Sequence, residues 1–339
     1  MSGVLVTGGT GKTGSVLAEL LRGNGVPVRV AARNPSAGDP DAVRFDWNDP
    51  GTHRAALHAM DRVYLVPPVN AVNPMPLVEP FLDEAERLGV RRVVLLGSAV
   101  VLPNAPGALE LAARVRTRPG WVVLRASGFM QNFLRPHPLG ERLRQHGEIH
   151  TAAGDGRLGW IDARDIAAAA SALLTNPDDE PSGRPGEGQG DRRDYLLTGP
   201  KALSYQDAAA IITARTGRPI KVLAVEADEL AAGYRAAGMP AEFAAALAVV
   251  DAGLSAGRDD MVSTAVLDLT GRPPRSFDEF VQDHASEWAN GVAGWDRRSA
   301  LRQPVSREVG DQDLGWAGGD DVACLPVRCP VHNGGYGSA

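Results

Sequence analysis

Short apolar runs alternate with helical patterns along the first half of the chain. Val4-Leu5-Val6 is an apolar run closed by Gly8 and Gly9, and Val16, Leu17, Leu20 and Leu21 then recur at helical spacing as far as Gly23 and Gly25. Val28 to Ala32 reads as a second strand and residues 43–46 as a short third. Residues 63–66 form a fourth, closed by Pro67-Pro68, and a helix with Leu77, Phe81, Leu82, Ala85 and Leu88 on one face runs up to Gly89. Residues 93–96 and 121–124 complete six strands. Apolar strands separated by helices predict a parallel sheet covered on both faces.

The second half is less regular. Asp162-x-x-Asp165 ahead of Ile166 and an alanine-rich run predicts a capped helix, and residues 195–197 read as a returning strand. Ser204-x-x-Asp207 and Ser276-x-x-Glu279 have capping-box spacing before helical runs. Residues 228–257 predict one or two alanine-rich helices, broken around Gly238-Met239-Pro240. Residues 177–193 are polar and rich in Gly and Pro, which predicts a mobile loop. Periodicity stops at about residue 291, and 291–339 reads as a disordered tail. The expected domains are 1–155, with a strand returning near 193–199, then a smaller 156–290.

Composition adds exclusions. The 339 residues suffice for roughly two domains, at about 100–200 residues each. A hydrophobic content of 44% and a charged content of 22% exclude wholesale disorder. A net charge of −6 carries no basic footprint for nucleic acid. No apolar run approaches the roughly 18 residues of a membrane span, and a first strand at residue 4 predicts no leader. The two cysteines, Cys324 and Cys329, exclude a disulfide framework and point to a reducing cytoplasm. With His332 they fit no standard zinc spacing, so no metal is expected.

The sharpest motif is Thr7-Gly8-Gly9-Thr10-Gly11-Lys12-Thr13-Gly14. Gly8, Gly11 and Gly14 lie between a strand and a helix, the context in which glycines let the backbone approach a pyrophosphate at a helix N-terminus. Gly11-Lys12-Thr13 imitates the end of a nucleotide-triphosphatase loop. That loop needs glycine where this chain has Val6, so the reading is rejected. An NAD site wants a carboxylate at the end of the second strand. Here Arg33 stands there, and a guanidinium suits a 2′-phosphate, with Lys12 as a second cation. The expected cofactor is therefore NADPH/NADP. Asp46, after the third strand, is placed for the adenine amine or for a turn.

Ligands of open parallel sheets bind beyond the carboxyl ends of the strands. Those ends carry Pro67-Pro68, Gly97-Ser98-Ala99 and the run from Arg125 to Phe133. Phe129, Met130, Gln131, Asn132 and Phe133 are candidates for the wall of a substrate cleft, with a core role open for the aromatic and thioether groups. No tyrosine has lysine four places on: Pro68, Gly199, Ala209 and Gly238 follow Tyr64, Tyr195, Tyr205 and Tyr234. Tyr-x-x-x-Lys acid catalysis is therefore absent. Ser98 or water can supply the proton, or an electrophilic iminium, quinone or conjugated acceptor needs little acid help. A third option is that the protein binds dinucleotide without reducing anything. Ser98 and Asn132 are the catalytic candidates.

TGGTGKTG, ARNPS, RFDWNDP, VYLVPP, RRVVLLGSA, RASGFMQNF, AGDGRLGWIDARDIA and YLLTGP occur in this order over about residues 3–288. Together they resemble the NmrA-like branch of atypical short-chain dehydrogenases, and within it the group of triphenylmethane reductase, festuclavine synthase and their bacterial relatives. The resemblance implies a Rossmann-type doubly wound parallel sheet, an α/β fold, with a smaller α+β C-terminal substrate domain. It implies that Gly8, Gly11 and Gly14 hold the pyrophosphate and Arg33 the 2′-phosphate. Pro67 and Ser98 would flank the nicotinamide, while Phe129, Met130 and Asn132 would line the cleft. His150, the 177–193 loop and the tail depart from the pattern. The expected activity is hydride delivery from NADPH to an electrophilic apolar small molecule, by a monomer or homodimer. The branch also holds redox sensors that regulate partners, and a cofactor-retaining epimerase or cyclase is a further alternative.

Overall fold

The computed structural model of the chain describes residues 3–69, 71–100, 102, 107–175 and 194–289. The described residues all fall within one compact unit, Met1–Arg297, and residues 298–339 lie outside them. The expected loop at 177–193 and the whole expected tail 291–339, with Cys324, Cys329 and His332, also lie outside them.

The first half runs β1 (Val4–Val6), α1 (Gly14–Gly23), β2 (Val28–Ala32), β3 (Ala42–Arg44), α2 (His53–Leu57), β4 (Arg62–Leu65), α3 (Met75–Arg87), β5 (Arg92–Ser98), α4 (Gly107–Arg116) and β6 (Val122–Ala126). The rest adds α5 (Pro138–His146), β7 (Glu148–Thr151), α6 (Ala163–Thr175), β8 (Asp194–Leu197), α7 (Tyr205–Thr216) and β9 (Lys221–Ala224). It ends with α8 (Ala227–Ala236), α9 (Ala241–Gly253), α10 (Ala265–Thr270), α11 (Phe277–Asp283) and α12 (Ala285–Ala289).

Seven parallel strands pair in the order β3-β2-β1-β4-β5-β6-β8. The order reverses at β1, so a crevice opens between the carboxyl ends of β1 and β4, where open α/β sheets take their ligands. Both faces are buried, as continuous apolar strands require. Val4, Val6, Val30, Tyr64, Val94 and Leu124 pack against α1 and α6 on one face. Leu5, Ala31, Val63, Leu65, Val93 and Val123 pack against α3 and α4 on the other.

The helix read from Asp162-x-x-Asp165 is α6, and it packs against α1 beneath this sheet. Arg62 and Arg92 reach its last turn and donate to the Leu174 and Leu173 carbonyls at 2.7 and 2.6 Å. A cation is favourable there because those carbonyls form the negative end of the helix. Both capping boxes are present, at Ser204 on α7 and Ser276 on α11. The alanine-rich stretch divides into α8 and α9, with Pro240 capping α9.

The sequence reading omitted β7 and β9, which form a separate parallel pair. They are four-residue segments, Glu148-Ile-His-Thr and Lys221-Val-Leu-Ala, and are polar or exposed on at least one face. No apolar run announces them, and only their pairing makes them strands. They belong to a second core around Met130, Phe133, Ile149, Trp160, Phe280 and Trp288.

Candidate active site

The glycine loop joins β1 to α1 at the switch point. Gly8 has φ +60°, a left-handed conformation that favours glycine. A Cβ on Gly14 would lie 2.3 Å from the Gly8 carbonyl oxygen, so only glycine lets α1 start this close to the loop. Gly11 N–H closes the turn on Gly8 O at 2.9 Å. Among the described residues the N–H groups of Thr10, Lys12, Thr13 and Gly14 have no backbone partner. Thr13 provides no side-chain cap, and the first turn of α1 carries no acidic residue. These are free donors at the positive end of a helix, the environment a pyrophosphate needs. The residues present therefore fit a dinucleotide.

Thr7 and Thr13 support this loop from below. Thr7 is fully buried; its Oγ1 accepts from Val66 N–H at 2.7 Å and donates to the Tyr64 carbonyl at 3.1 Å, tying β1 to β4. The Tyr64 hydroxyl donates to Thr13 Oγ1 at 3.0 Å. Burial pushes that phenol well above its ordinary value, so Tyr64 is a buttress and no acid.

Arg33 follows β2, exposed, with no hydrogen bond or ion pair among the described residues. Lys12 does not join it. Its Nζ donates to Asn132 Oδ1 at 3.2 Å, and Asn132 lies beyond β6, on the other side of β1 from β2. The expected pairing of Lys12 with Arg33 on one phosphate is corrected by that topology. Lys12 is exposed by area, yet enclosed enough that desolvation lowers its ammonium pKa.

The sequence reading missed His137, the N-cap of α5. Its Nδ1 accepts Leu139 N–H at 3.2 Å, and it also bonds to the backbone of Asn132. Desolvation, and then the Lys12 charge, push the imidazole down to about 3, so it stays neutral at physiological pH. A lone histidine before a proline gives no sequence signal of this proximity.

The run after β6 separates into different roles. Met130 and Phe133 are 1% and 0% exposed inside the second core, so they are packing residues and not cleft wall. Phe133 meets Trp160 and Phe277 edge-on, at centroid distances of 5.0 and 4.8 Å. Gln131 donates to Asp162 Oδ1 at 2.8 Å and accepts Ala163 N–H at 3.0 Å, so it staples the run to α6 instead of facing a substrate. Phe129 packs, partly buried, against the sheet core, and the partly buried Asn132 meets Lys12.

Ser98 is committed to a local turn. Its hydroxyl donates to the Val100 carbonyl at 2.8 Å and accepts Val100 N–H at 3.1 Å, which corrects its reading as a free proton donor. Asp46 accepts Asn48 N–H at 2.9 Å, the turn role among its two alternatives. Pro67 follows β4, half-buried at the switch point. Beyond the ends of β5, β6 and β8 lies a small cavity lined by Ala99, Val100, Ser127, Leu158, Thr198 and Met261. Met261 is 56% exposed, and nothing in the sequence singles it out.

Below the run sits a charged cluster. Asp162 is 0% exposed. Burial raises its carboxyl pKa, but hydrogen bonds from Arg164 and Gln131 outweigh that and hold it below the ordinary range. Asp165 on α6 accepts Arg275 N–H at 2.8 Å, and burial pushes it up to about 6. The folded chain thus holds this proton more tightly than the unfolded chain, whose Asp titrates near 3.8. Its contribution to stability falls as pH rises from about 3.8 to about 6, and stays lost above. Asp165→Asn keeps an acceptor for Arg275 and removes the titration. Melting curves between about pH 4 and pH 7 should show the variant gaining on the native chain across that window. A constant difference would refute the assignment.

A doubly wound parallel sheet with an open glycine loop at its switch point defines a dinucleotide-binding protein. Comparison with known proteins agrees. A family model described as NAD(P)H-binding matches residues 8–177. The uncharacterized oxidoreductase YesF of Bacillus subtilis is 41% identical over 85% of this chain and 96% of its own length. Agroclavine dehydrogenase of Claviceps fusiformis is 35% identical over 84% of this chain and 98% of its own. The NADPH-dependent quinone oxidoreductase QOR2 of Escherichia coli, solved with NADPH, shares the fold at TM-score 0.68. It is 23% identical, and the match covers 83% of this chain and 99% of that one. The chain belongs to the NAD(P)H-binding family and is an NAD(P)H-dependent oxidoreductase. No helix among the described residues is long and apolar enough to cross a membrane.

Proposed function

We propose that this chain is an NADPH-dependent reductase that delivers hydride to an electrophilic, apolar small molecule, an iminium, quinone or enone. The observation that carries this reading is the glycine loop with free N–H donors, joined to an unpaired Arg33 where an NAD site would hold a carboxylate. When bound, the reduced nicotinamide supplies the hydride. The loop N–H groups hold the pyrophosphate, and Arg33 grips the 2′-phosphate. Pro67 and the Ser98 turn border the nicotinamide end. Phe129, together with the cavity edge at Val100 and Met261, supplies apolar surface for a substrate. Holding acceptor and cofactor together in such a crevice provides much of the acceleration through proximity.

The chemistry is tested with NADPH deuterated at C4, against a panel of iminium, quinone and enone compounds. Deuterium in the product supports the reading. Tight binding with transfer to none of them would assign the chain to the sensor class instead.

Cofactor choice is tested at Arg33. A guanidinium–phosphate hydrogen bond is worth about 1.5–3 kcal/mol. NADPH should therefore bind at least about tenfold more tightly than NADH, since about 1.4 kcal/mol is tenfold. Arg33→Asp should reverse the order in fluorescence titrations. Equal affinities in the native chain would refute it.

A further inference from the structure

Lys12 belongs to the phosphate loop by sequence, but its side chain leaves that loop. It crosses the switch point and donates to Asn132 Oδ1 at 3.2 Å, beside the ends of β5 and β6. Asn132 takes one of the three ammonium hydrogens, which leaves two. Among the described residues no carboxylate pairs with Lys12. Its titratable neighbour, His137, is engaged with Leu139 N–H and the Asn132 backbone and stays neutral. The loop N–H groups already provide for the pyrophosphate. An ammonium ion with no carboxylate partner among the described residues thus stands across the switch point from Arg33.

We infer that Lys12 is a catalytic residue whose ammonium ion faces the acceptor oxygen, and that the acceptor is a neutral conjugated carbonyl, a quinone or enone, rather than a cationic iminium. This rests on the reductase reading above. A bound reduced dinucleotide would supply the hydride that forms a C–H bond at the electrophilic carbon, and the π pair would shift through the conjugated system onto the oxygen that Lys12 faces. The two electrons that reduce the carbonyl compound would come from that dinucleotide, which would be left oxidised. A Lys12 N–H bond breaks as the O–H bond forms, and water returns the proton to the amine. A fixed cation stabilises the developing oxyanion and repels an iminium, whose positive charge is lost on reduction. Desolvation of the ammonium ion makes it a better acid for this step.

The test uses the full chain, with 4-nitrophenol as a stand-in for the oxyanion. In the NADP complex, absorption titration should show it bound as phenolate. Lys12→Gln should weaken phenolate binding about tenfold or more, while Lys12→Arg, which keeps the charge, should preserve it. The NADP dissociation constant should change less than about twofold in both variants. In turnover, Lys12→Gln should lower kcat/KM for menadione by about 100-fold, the scale of losing one oxyanion donor. It should raise kcat/KM for 2-methyl-3,4-dihydroisoquinolinium, because the repelling charge is gone. A tenfold weaker NADP complex with phenolate binding unmoved would overturn the inference and give Lys12 to the pyrophosphate. Native preference for the iminium, unchanged in Lys12→Gln, would also overturn it while leaving the reductase reading intact. If the native chain reduces neither compound, the proposed acceptor classes fail, and the phenolate titration alone decides the placement of Lys12.

Discussion

Gly14→Ala is expected to abolish dinucleotide binding. The new Cβ would sit 2.3 Å from the Gly8 carbonyl oxygen and 2.9 Å from both Gly8 C and Gly9 Cα. These are backbone atoms of the loop that must cradle the phosphates, so no rotamer change relieves the contact. The loop has to move away from α1, which withdraws the free N–H groups from a common centre. Overpacking of this kind costs about 1–3 kcal/mol or more. Here the strain falls on the binding loop itself, so NADPH affinity should fall by about 100-fold, equivalent to about 2.7 kcal/mol. Gly23→Ala, at the other end of the same helix, meets nothing within 4 Å and should bind normally. Titrations of both variants, with melting curves in parallel, check this. Normal binding by Gly14→Ala would mean that the loop is not the phosphate site.

Asp162→Ala is expected to have the largest effect on stability. The carboxylate is buried and accepts from Gln131 at 2.8 Å, Arg164 N–H at 2.9 Å and Arg164 Nε at 2.9 Å. Arg275 Nε stands 3.2 Å from it. Removing one partner of a buried ion pair costs about 3–5 kcal/mol, because the other charge stays buried without compensation. Asp283, which accepts from Arg164 at 2.9 Å and Arg275 at 2.6 Å, softens that loss. The cost should therefore lie near the lower end, about 3 kcal/mol in urea unfolding. Gln131 loses the acceptor that holds the run after β6, so Asn132 should lose its fixed place opposite Lys12. A change below about 1 kcal/mol would show that the cluster is a solvated surface network.

The parts of the site that were legible in the sequence are those set by local chemistry. A phosphate loop needs glycine at fixed spacing between a strand and a helix, and Gly8 and Gly14 show why in their φ and their missing Cβ atoms. Arg33 was legible because the end of β2 is one residue from a strand that the pattern already located. The run from Phe129 to Phe133 was found, but the direction of each side chain was not. Consecutive residues in its single 3-10 turn point to different neighbours, so Met130 enters the core, Gln131 reaches Asp162 and Asn132 meets Lys12.

The sequence by itself determined the parallel sheet, the phosphate loop, the helix caps and the absence of Tyr-x-x-x-Lys. Strands buried on both faces must be apolar throughout, and caps and tight turns restrict residue type within a few positions of themselves. Only the tertiary structure decided that Lys12 faces Asn132 and not Arg33, since strand order places β6 and β2 on opposite sides of β1. It alone paired β7 with β9, whose short, half-exposed segments gain their hydrogen bonds from each other. It alone turned Ser98 and Gln131 from candidate chemistry into scaffold. A hydroxyl or amide is free or committed according to what lies within about 3 Å, and that depends on chain brought in from elsewhere in the sequence.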